Sequence, residues 1–288
     1  MDYAYQDVQL PSESDRDALH GALATLTIGN ADPSGMRGYL DSDFLRFLYT
    51  LAITPDVAGR ALEIGSNPYF MTALLRMHRP GLALDGVNYF PSEPATFQQD
   101  VRWVDGQQQW SEVFHSFNTN LEADQLPVED GAYSLILFCE VLEHFTNDPM
   151  AALRELSRVL QPGGQLVLTT PNVARFDNVR AMLEGWSIYD PYSGYGPYGR
   201  HNREYTRHEL HELMMHAGFE AEVSFTSDVH LNRGGKVADA VIVEFLRNTP
   251  NREHDLGQYL FTRWRKVREP SPGLPRWLYR SYPDSALA

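Results

Sequence analysis

The residue types best suited to chemistry lie together in Phe138-Cys139-Glu140-Val141-Leu142-Glu143-His144. Glu140, Glu143 and His144 are spaced i, i+3 and i+4, so a helical turn here would send all three side chains from one face. The preceding apolar run, Tyr133–Phe138, reads as a strand. Ligands bind at the carboxyl ends of strands in an open α/β sheet, so this segment is a candidate metal or acid–base site. Two hard carboxylate oxygens and one imidazole suit Mg²⁺ or Mn²⁺, with Zn²⁺ or Co²⁺ as further options. His144 and Glu143 are the catalytic candidates. His144 can alternatively serve as a general base with no metal, and the glutamates can simply cap or solvate a helix start.

The surrounding elements alternate. Strands are expected at Arg60–Gly65, Leu82–Asn88, Val113–Phe117, Tyr133–Phe138, Gln165–Thr170, Glu220–Phe225 and Ala240–Phe245. Helices are expected at Phe70–His78, from a cap at Asp148 with Pro149 in the first turn to about Leu160, and at Thr206–Ala217. An earlier helix is expected after a cap at Asp41-Ser42-Asp43. Such alternation argues an α/β fold built on a doubly wound, seven-stranded, mostly parallel sheet. Residues 1–55 form an N-terminal helical cap, 56–248 the main domain and 249–288 a C-terminal arm. Residues 173–205 interrupt the alternation with a Tyr/Gly-rich loop, expected to be functional.

Composition narrows the function. A net charge of −14 disfavours broad nucleic-acid binding. Cys139 is the only cysteine, so no intrachain disulfide can form, which fits a reducing cytoplasm. The first twenty residues carry acids throughout and lack a basic start with an apolar run, so no secretory signal is expected. No apolar stretch is long enough to span a membrane. Lys236 and Lys266 are the only lysines among the 24 basic residues, a bias of GC-rich, bacterial coding. The oligomeric state is left open, a homodimer included.

Glu63-Ile64-Gly65-Ser66-Asn67-Pro68-Tyr69 occupies a strand-to-helix turn of the kind that cradles a cofactor. With Leu126-Pro127 and its acidic turn, the Glu140–His144 segment and Arg158-Val159-Leu160-Gln161-Pro162-Gly163-Gly164, the chain resembles class I S-adenosylmethionine-dependent methyltransferases. The resemblance covers roughly residues 58–246 and implies a Rossmann-like fold with S-adenosylmethionine as cofactor. By resemblance, Gly65 and Ser66 lie against the methionine and ribose, and Glu63 organises the turn. Asn88 takes the place of the ribose-binding acid, with Asp85 a poorer candidate. Glu122 reads the adenine amino group, with Asn120 and Asp124 as competitors, and Cys139 lies beside the cofactor.

Glu-x-x-Glu-His with a distal His201 is similar to the small-RNA terminal 2′-O-methyltransferases, and a like motif occurs in the O-methyltransferase of ubiquinone biosynthesis. The resemblance implies a metal tetrad of Glu140, Glu143, His144 and His201 gripping a vicinal diol. The expected acceptor is a sugar or glycan hydroxyl, a class also suggested by similarity to bacterial enzymes of mycobacterial methylmannose polysaccharide synthesis. A dihydroxyaromatic metabolite is the alternative, and a non-catalytic cofactor-binding subunit the third. Tyr195, Tyr198 and Arg200 are the expected acceptor contacts.

Overall fold

The computed structural model describes residues 6–90, 93–247, 249 and 254–288. The first helix, α1 (Glu13–Leu23), is capped by the Ser12 hydroxyl, which accepts from the Asp15 N–H at 3.3 Å. A two-residue strand, β1 (Thr27–Ile28), leads to the long helix α2 (Arg37–Ile53). Asp41–Asp43 is not the expected cap, since α2 already runs from Arg37. Asp43 instead pairs with Arg46 one turn on, at 2.9 Å, and both are buried.

Three elements then fall where the sequence pattern puts them: β2 (Gly59–Ile64), α3 (Phe70–His78) and β3 (Leu82–Asn88). The expected Val113–Phe117 strand is the end of a longer one. An antiparallel hairpin joins β4 (Thr96–Asp105) to β5 (Gln108–Asn118). Its turn holds Asp105-Gly106 with Gly106 at φ +58°, a hairpin signal that the strand pattern alone does not use. Next come β6 (Tyr133–Cys139), α4 (Pro149–Val159), β7 (Leu160–Pro171) and α5 (Phe176–Leu183), which lies inside the segment read as loop. Asp148 caps α4 by accepting from the N–H groups of Met150 and Ala151. Thr206 and Glu209 form a reciprocal capping box at the start of α6 (Arg207–His216). The chain continues through β8 (Phe219–Ser227), α7 (Asp239–Arg247) and β9 (Tyr259–Lys266).

The strand expected at Ala240–Phe245 is therefore a helix. Its β-branched residues favour a strand by propensity, but the buried positions are Ile242 and Leu246, spaced i and i+4, as a helix face requires. The seventh core strand comes instead from Tyr259–Lys266, within the residues read as an arm. Further along the arm, Leu274 and Tyr279 join the apolar cluster of the core.

Among the described residues the sheet has nine strands in the order β1-β4-β5-β3-β2-β6-β7-β9-β8. The five central strands β5, β3, β2, β6 and β7 run parallel, and β9 inserts antiparallel between β7 and β8. Side chains alternate across the strands, which divides the core in two. Leu62, Ile64, Ile136 and Phe138 face α4 and α6, whereas Ala61, Leu135 and Leu137 face α2 and α3. Chain order reverses between β2 and β6, so the crevice at their carboxyl ends is the topological switch point. Among the described residues no helix is long and apolar enough to cross a membrane.

Candidate active site

At the end of β2, Gly65 takes φ +72°, and a Cβ there would lie 2.8 Å from Val141 Cγ2. The position therefore requires glycine on two counts, backbone sign and space. The next residues are tied down by Asn88 at the end of β3. Its side-chain oxygen accepts from the Asn67 N–H at 3.0 Å, and its amide nitrogen donates to Ser66 Oγ at 2.9 Å. Glu63, on the face of β2 that packs on α3, accepts from Thr72 of α3 at 2.5 Å and so staples strand to helix. Burial pushes its carboxyl up to about 8, although that hydrogen bond opposes the shift.

These elements border a cavity of about 270 Å³ at the switch point, lined by Gly65, Asn67, Asn88, Asn120, Glu140 and His144 among others. The volume is at the small end for ligand sites. Tyr198, from the Tyr/Gly-rich loop, also lines it: its hydroxyl accepts from Asn120 Nδ2 at 3.0 Å, and its ring meets Tyr89 edge-on at 5.9 Å. A glycine-enforced approach of backbone, apolar walls and asparagine amides fit a nucleoside-bearing cofactor. A larger cavity of about 410 Å³ lies elsewhere, around Phe176, Arg207 and His254, and shares no lining residue with this one.

Not every expected cofactor contact lies there. Glu122 is outside the cavity lining, and its carboxylate accepts from the N–H groups of Thr146, Asn147 and Asp148. Burial raises this carboxyl, but the three amides outweigh it and hold it below the usual range. Glu122 thus braces the turn before α4, while its competitor Asn120 borders the cavity. Cys139 ends β6, and burial pushes its thiol up to about 12, which fits an inert packing group.

The Glu140–His144 segment does not make the expected helical face. Glu140 takes φ +54°, and the helical turn that follows is confined to Leu142–His144. Glu140 is consequently turned aside; Thr169 Oγ1 donates to its carboxylate at 2.7 Å. Burial raises the Glu140 carboxyl, with buried Arg46 of α2 opposing the shift.

Glu143, His144 and His201 do meet, with one potential ligand atom from each lying within 4.8 Å of the others. The distal loop is stitched to the turn by backbone bonds. Asn202 N–H donates to the Glu143 carbonyl at 2.7 Å, and Asn202 Nδ2 to the His144 carbonyl at 2.8 Å. His144 Nδ1 must donate to the Arg200 carbonyl at 3.0 Å, which leaves Nε2 as a lone pair 3.8 Å from Glu143 Oε1. His201 Nδ1 lies 2.9 Å from Glu204 Oε1, and the two imidazole centroids are 5.0 Å apart. Glu143 is fully buried; Oε2 accepts from Thr170 at 2.9 Å, whereas Oε1 has no hydrogen-bond partner. Burial, reinforced by Glu140, raises its carboxyl. Burial lowers His144, and His201 adds to that; for His201 burial is outweighed by Glu204, Glu143 and Asp190, and its imidazole is raised.

An orphaned buried carboxylate oxygen facing two imidazoles is costly without a proton or a cation. The donor set, one carboxylate and two imidazoles, fits Mn²⁺, Zn²⁺ or Mg²⁺. Asn202 and Glu204, which hold this geometry, carry no sequence signal beyond their closeness to His201. Of the expected acceptor contacts, Tyr195 is 95% exposed. Arg200 bonds Asn202 and stacks on Tyr192 at 4.5 Å.

The family model described as a methyltransferase domain matches residues 35–223. Among curated proteins, the tRNA U34 carboxymethyltransferase of Syntrophotalea carbinolica is 29% identical over 164 residues, 55% of this chain and 48% of that protein. The chain thus spans about half the length of this curated relative. Solved S-adenosylmethionine-dependent methyltransferases of Thermotoga maritima and Archaeoglobus fulgidus each align with 81% of this chain. They are covered over 97% and 92% of their lengths, at 19% and 13% identity, with TM-scores of 0.48 and 0.45.

Proposed function

This chain belongs to the methyltransferase-domain family, with a class I S-adenosylmethionine-dependent fold, and from that premise we propose an O-methyltransferase acting on a hydroxyl of a sugar or glycan. The observation that carries this reading is the convergence of His144 and His201 on the unpartnered Oε1 of buried Glu143. S-adenosylmethionine would supply an electrophilic methyl, and Glu143, His144 and His201 would hold a divalent cation that lowers the pKa of an alcohol otherwise a poor nucleophile. Gly65, Asn67 and Asn88 shape the cofactor turn, and Asn120 and Tyr198 close the cavity over it. His144 borders that cavity as well as belonging to the cluster, so the two sites adjoin. Such adjacency serves in-line transfer, which depends on alignment of acceptor and methyl.

Vicinal hydroxyls would offer paired oxygens to one cation, a feature that sugar diols and catechols share. The exposed Tyr189, Tyr192 and Tyr195 of the adjoining loop provide aromatic faces for a sugar ring. A net charge of −14 weighs against a polynucleotide acceptor.

The test is methyl transfer to a panel of mannosides, glucosides and catechols, after chelation and again after return of Mg²⁺ or Mn²⁺. Activity on sugars that is lost and restored is the expected result. Indifference to chelation leaves His144 as a metal-free base. Transfer confined to catechols assigns a dihydroxyaromatic acceptor, and cofactor binding without transfer assigns a non-catalytic subunit.

A further inference from the structure

We propose that Glu204, clamped by Arg175, is the positioning residue that aims His201 Nε2 into the cation site. This rests on the cation reading above. His201 sits on a loop, with its side chain 30% exposed, and its backbone N–H is held by Asp190 of the same loop at 3.1 Å. Loop packing alone leaves the imidazole two acceptors for Nδ1: Glu204 Oε1 at 2.9 Å and Asp190 Oδ2 at 3.9 Å. The nearer one is the better anchored. Glu204 Oε2 is bonded by the Arg175 guanidinium, and Arg175 Nη1 also donates to the Asn172 carbonyl at 3.0 Å.

Asn172 directly follows β7, and its backbone pairs with Tyr205, the residue after Glu204. His201 is therefore referred, through one carboxylate and one guanidinium, to the same strand end that carries Thr170, the partner of Glu143. Both metal-facing groups share one rigid reference. An ionised carboxylate only accepts, so the proton on His201 is placed at Nδ1 and the lone pair at Nε2.

His144 reaches the same tautomer by a different route, because its Nδ1 donates to a backbone carbonyl that no side-chain substitution removes. The orientation of His201 is thus the one that depends on a side chain. Carboxylate partners of ligating histidines fix ring and tautomer, and their loss commonly weakens metal binding about 10–100-fold.

The experiment titrates Mn²⁺ into the whole protein by electron paramagnetic resonance, for the unsubstituted chain, Glu204→Ala, Glu204→Gln and His201→Ala. Calorimetry with S-adenosylhomocysteine serves as the control for folding. The expected result is one Mn²⁺ per chain, weakened about 10–100-fold in Glu204→Ala. Glu204→Gln keeps an acceptor oxygen and should lose less, and cofactor affinity should hold in both. Nitrogen-15 correlation spectra, recorded at a pH where the His201 ring is neutral, give a readout that needs no metal: the proton at Nδ1 in the unsubstituted chain and mixed tautomers in Glu204→Ala. Unchanged Mn²⁺ affinity in Glu204→Ala, or a proton on Nε2 and none on Nδ1 of the neutral ring in the unsubstituted chain, overturns the positioning role and leaves the cation reading standing. Failure of the unsubstituted chain to bind Mn²⁺ overturns the cation reading itself, and the proposal with it.

Discussion

Asn120 donates to the hydroxyl of Tyr198 at 3.0 Å, across 78 residues of sequence, and so ties the Tyr/Gly-rich loop to the rim of the switch-point cavity. A neutral hydrogen bond of this kind is worth roughly 1 kcal/mol net. Tyr198→Phe should therefore weaken S-adenosylhomocysteine binding about fivefold by calorimetry. Tyr198→Ala should cost more, because the edge contact with Tyr89 goes as well. If both variants bind as tightly as the parent, the loop does not roof the cofactor.

Gly65 offers a sharper test of the same cavity. Gly65→Ala must place a methyl 2.8 Å from Val141 Cγ2 on a backbone of φ +72°. Strain of this kind is worth about 1–3 kcal/mol, and relief by shifting the turn would move the Asn67 and Ser66 contacts with Asn88. The expected outcome is a lower melting temperature and at least about tenfold weaker cofactor binding. Adding Val141→Ala should recover part of the loss, the steric share, and leave the backbone share. Full recovery would show that φ at Gly65 carries no cost.

How far the sequence could be read follows from where each signal comes from. Phe70–His78 is legible end to end because the helix sits between local punctuation, Asn67-Pro68 and Arg79-Pro80-Gly81. The Asp148 cap with Pro149 is equally local. Strand β9 was not legible. Its partners β7 and β8 lie far away in sequence, and Tyr259–Lys266 mixes arginine with aromatics in a way that looks like a surface tail. Glu140 shows the same limit at the site: its spacing to Glu143 promises a common face, and one positive φ cancels it. His201 was legible through a motif, whereas Glu204 and Asn202 act through contacts that spacing does not encode.

Glu63 permits a test of buried charge away from the Glu143, His144 and His201 cluster. Its carboxyl is raised from the ordinary 4.5 to about 8 in the folded protein. Between those values the unfolded chain has released a proton that the folded chain keeps. Stability from this group is thus full below about pH 4.5 and is lost as pH rises through about 8, with a slope of at most about 1.4 kcal/mol per pH unit. Glu63→Gln keeps an acceptor for Thr72 and cannot ionise. Its melting temperature should match the parent near pH 4.5 and exceed it increasingly toward pH 8. A difference that stays constant across that window contradicts a retained proton.

Glu143 and His201 lie outside the lining of the switch-point cavity, whereas His144 belongs to it. Substitutions within one cluster should accordingly separate. Glu143→Ala and His201→Ala are expected to abolish methyl transfer and to change S-adenosylhomocysteine affinity less than about twofold, within the cost of a lost weak contact. His144→Ala should impair both. Turnover retained in either of the first two variants removes the cluster from the chemistry, and a matched loss of cofactor affinity in all three makes it a structural brace.

Arg46 is the cation that lets the interior tolerate two carboxylates. It pairs with Asp43 at 2.9 Å, donates to the Tyr39 hydroxyl at 2.7 Å, and lies close enough to Glu140 to oppose the burial that raises that carboxyl. Removing one partner of a buried pair costs about 3–5 kcal/mol, because the remaining charge is left uncompensated. Arg46→Met should therefore be strongly destabilised in urea at pH 7. The sign with pH follows from the carboxyls. Without Arg46 the folded Glu140 carboxyl moves further up, so the penalty is present where the unfolded carboxylate is ionised, above about 4.5, and shrinks as pH falls below it. Urea midpoints at pH 7 and pH 4 measure this directly. An equal loss at both would assign the effect to the lost contact of the guanidinium with the Phe47 ring, 5.0 Å away, not to its pairing with carboxylates.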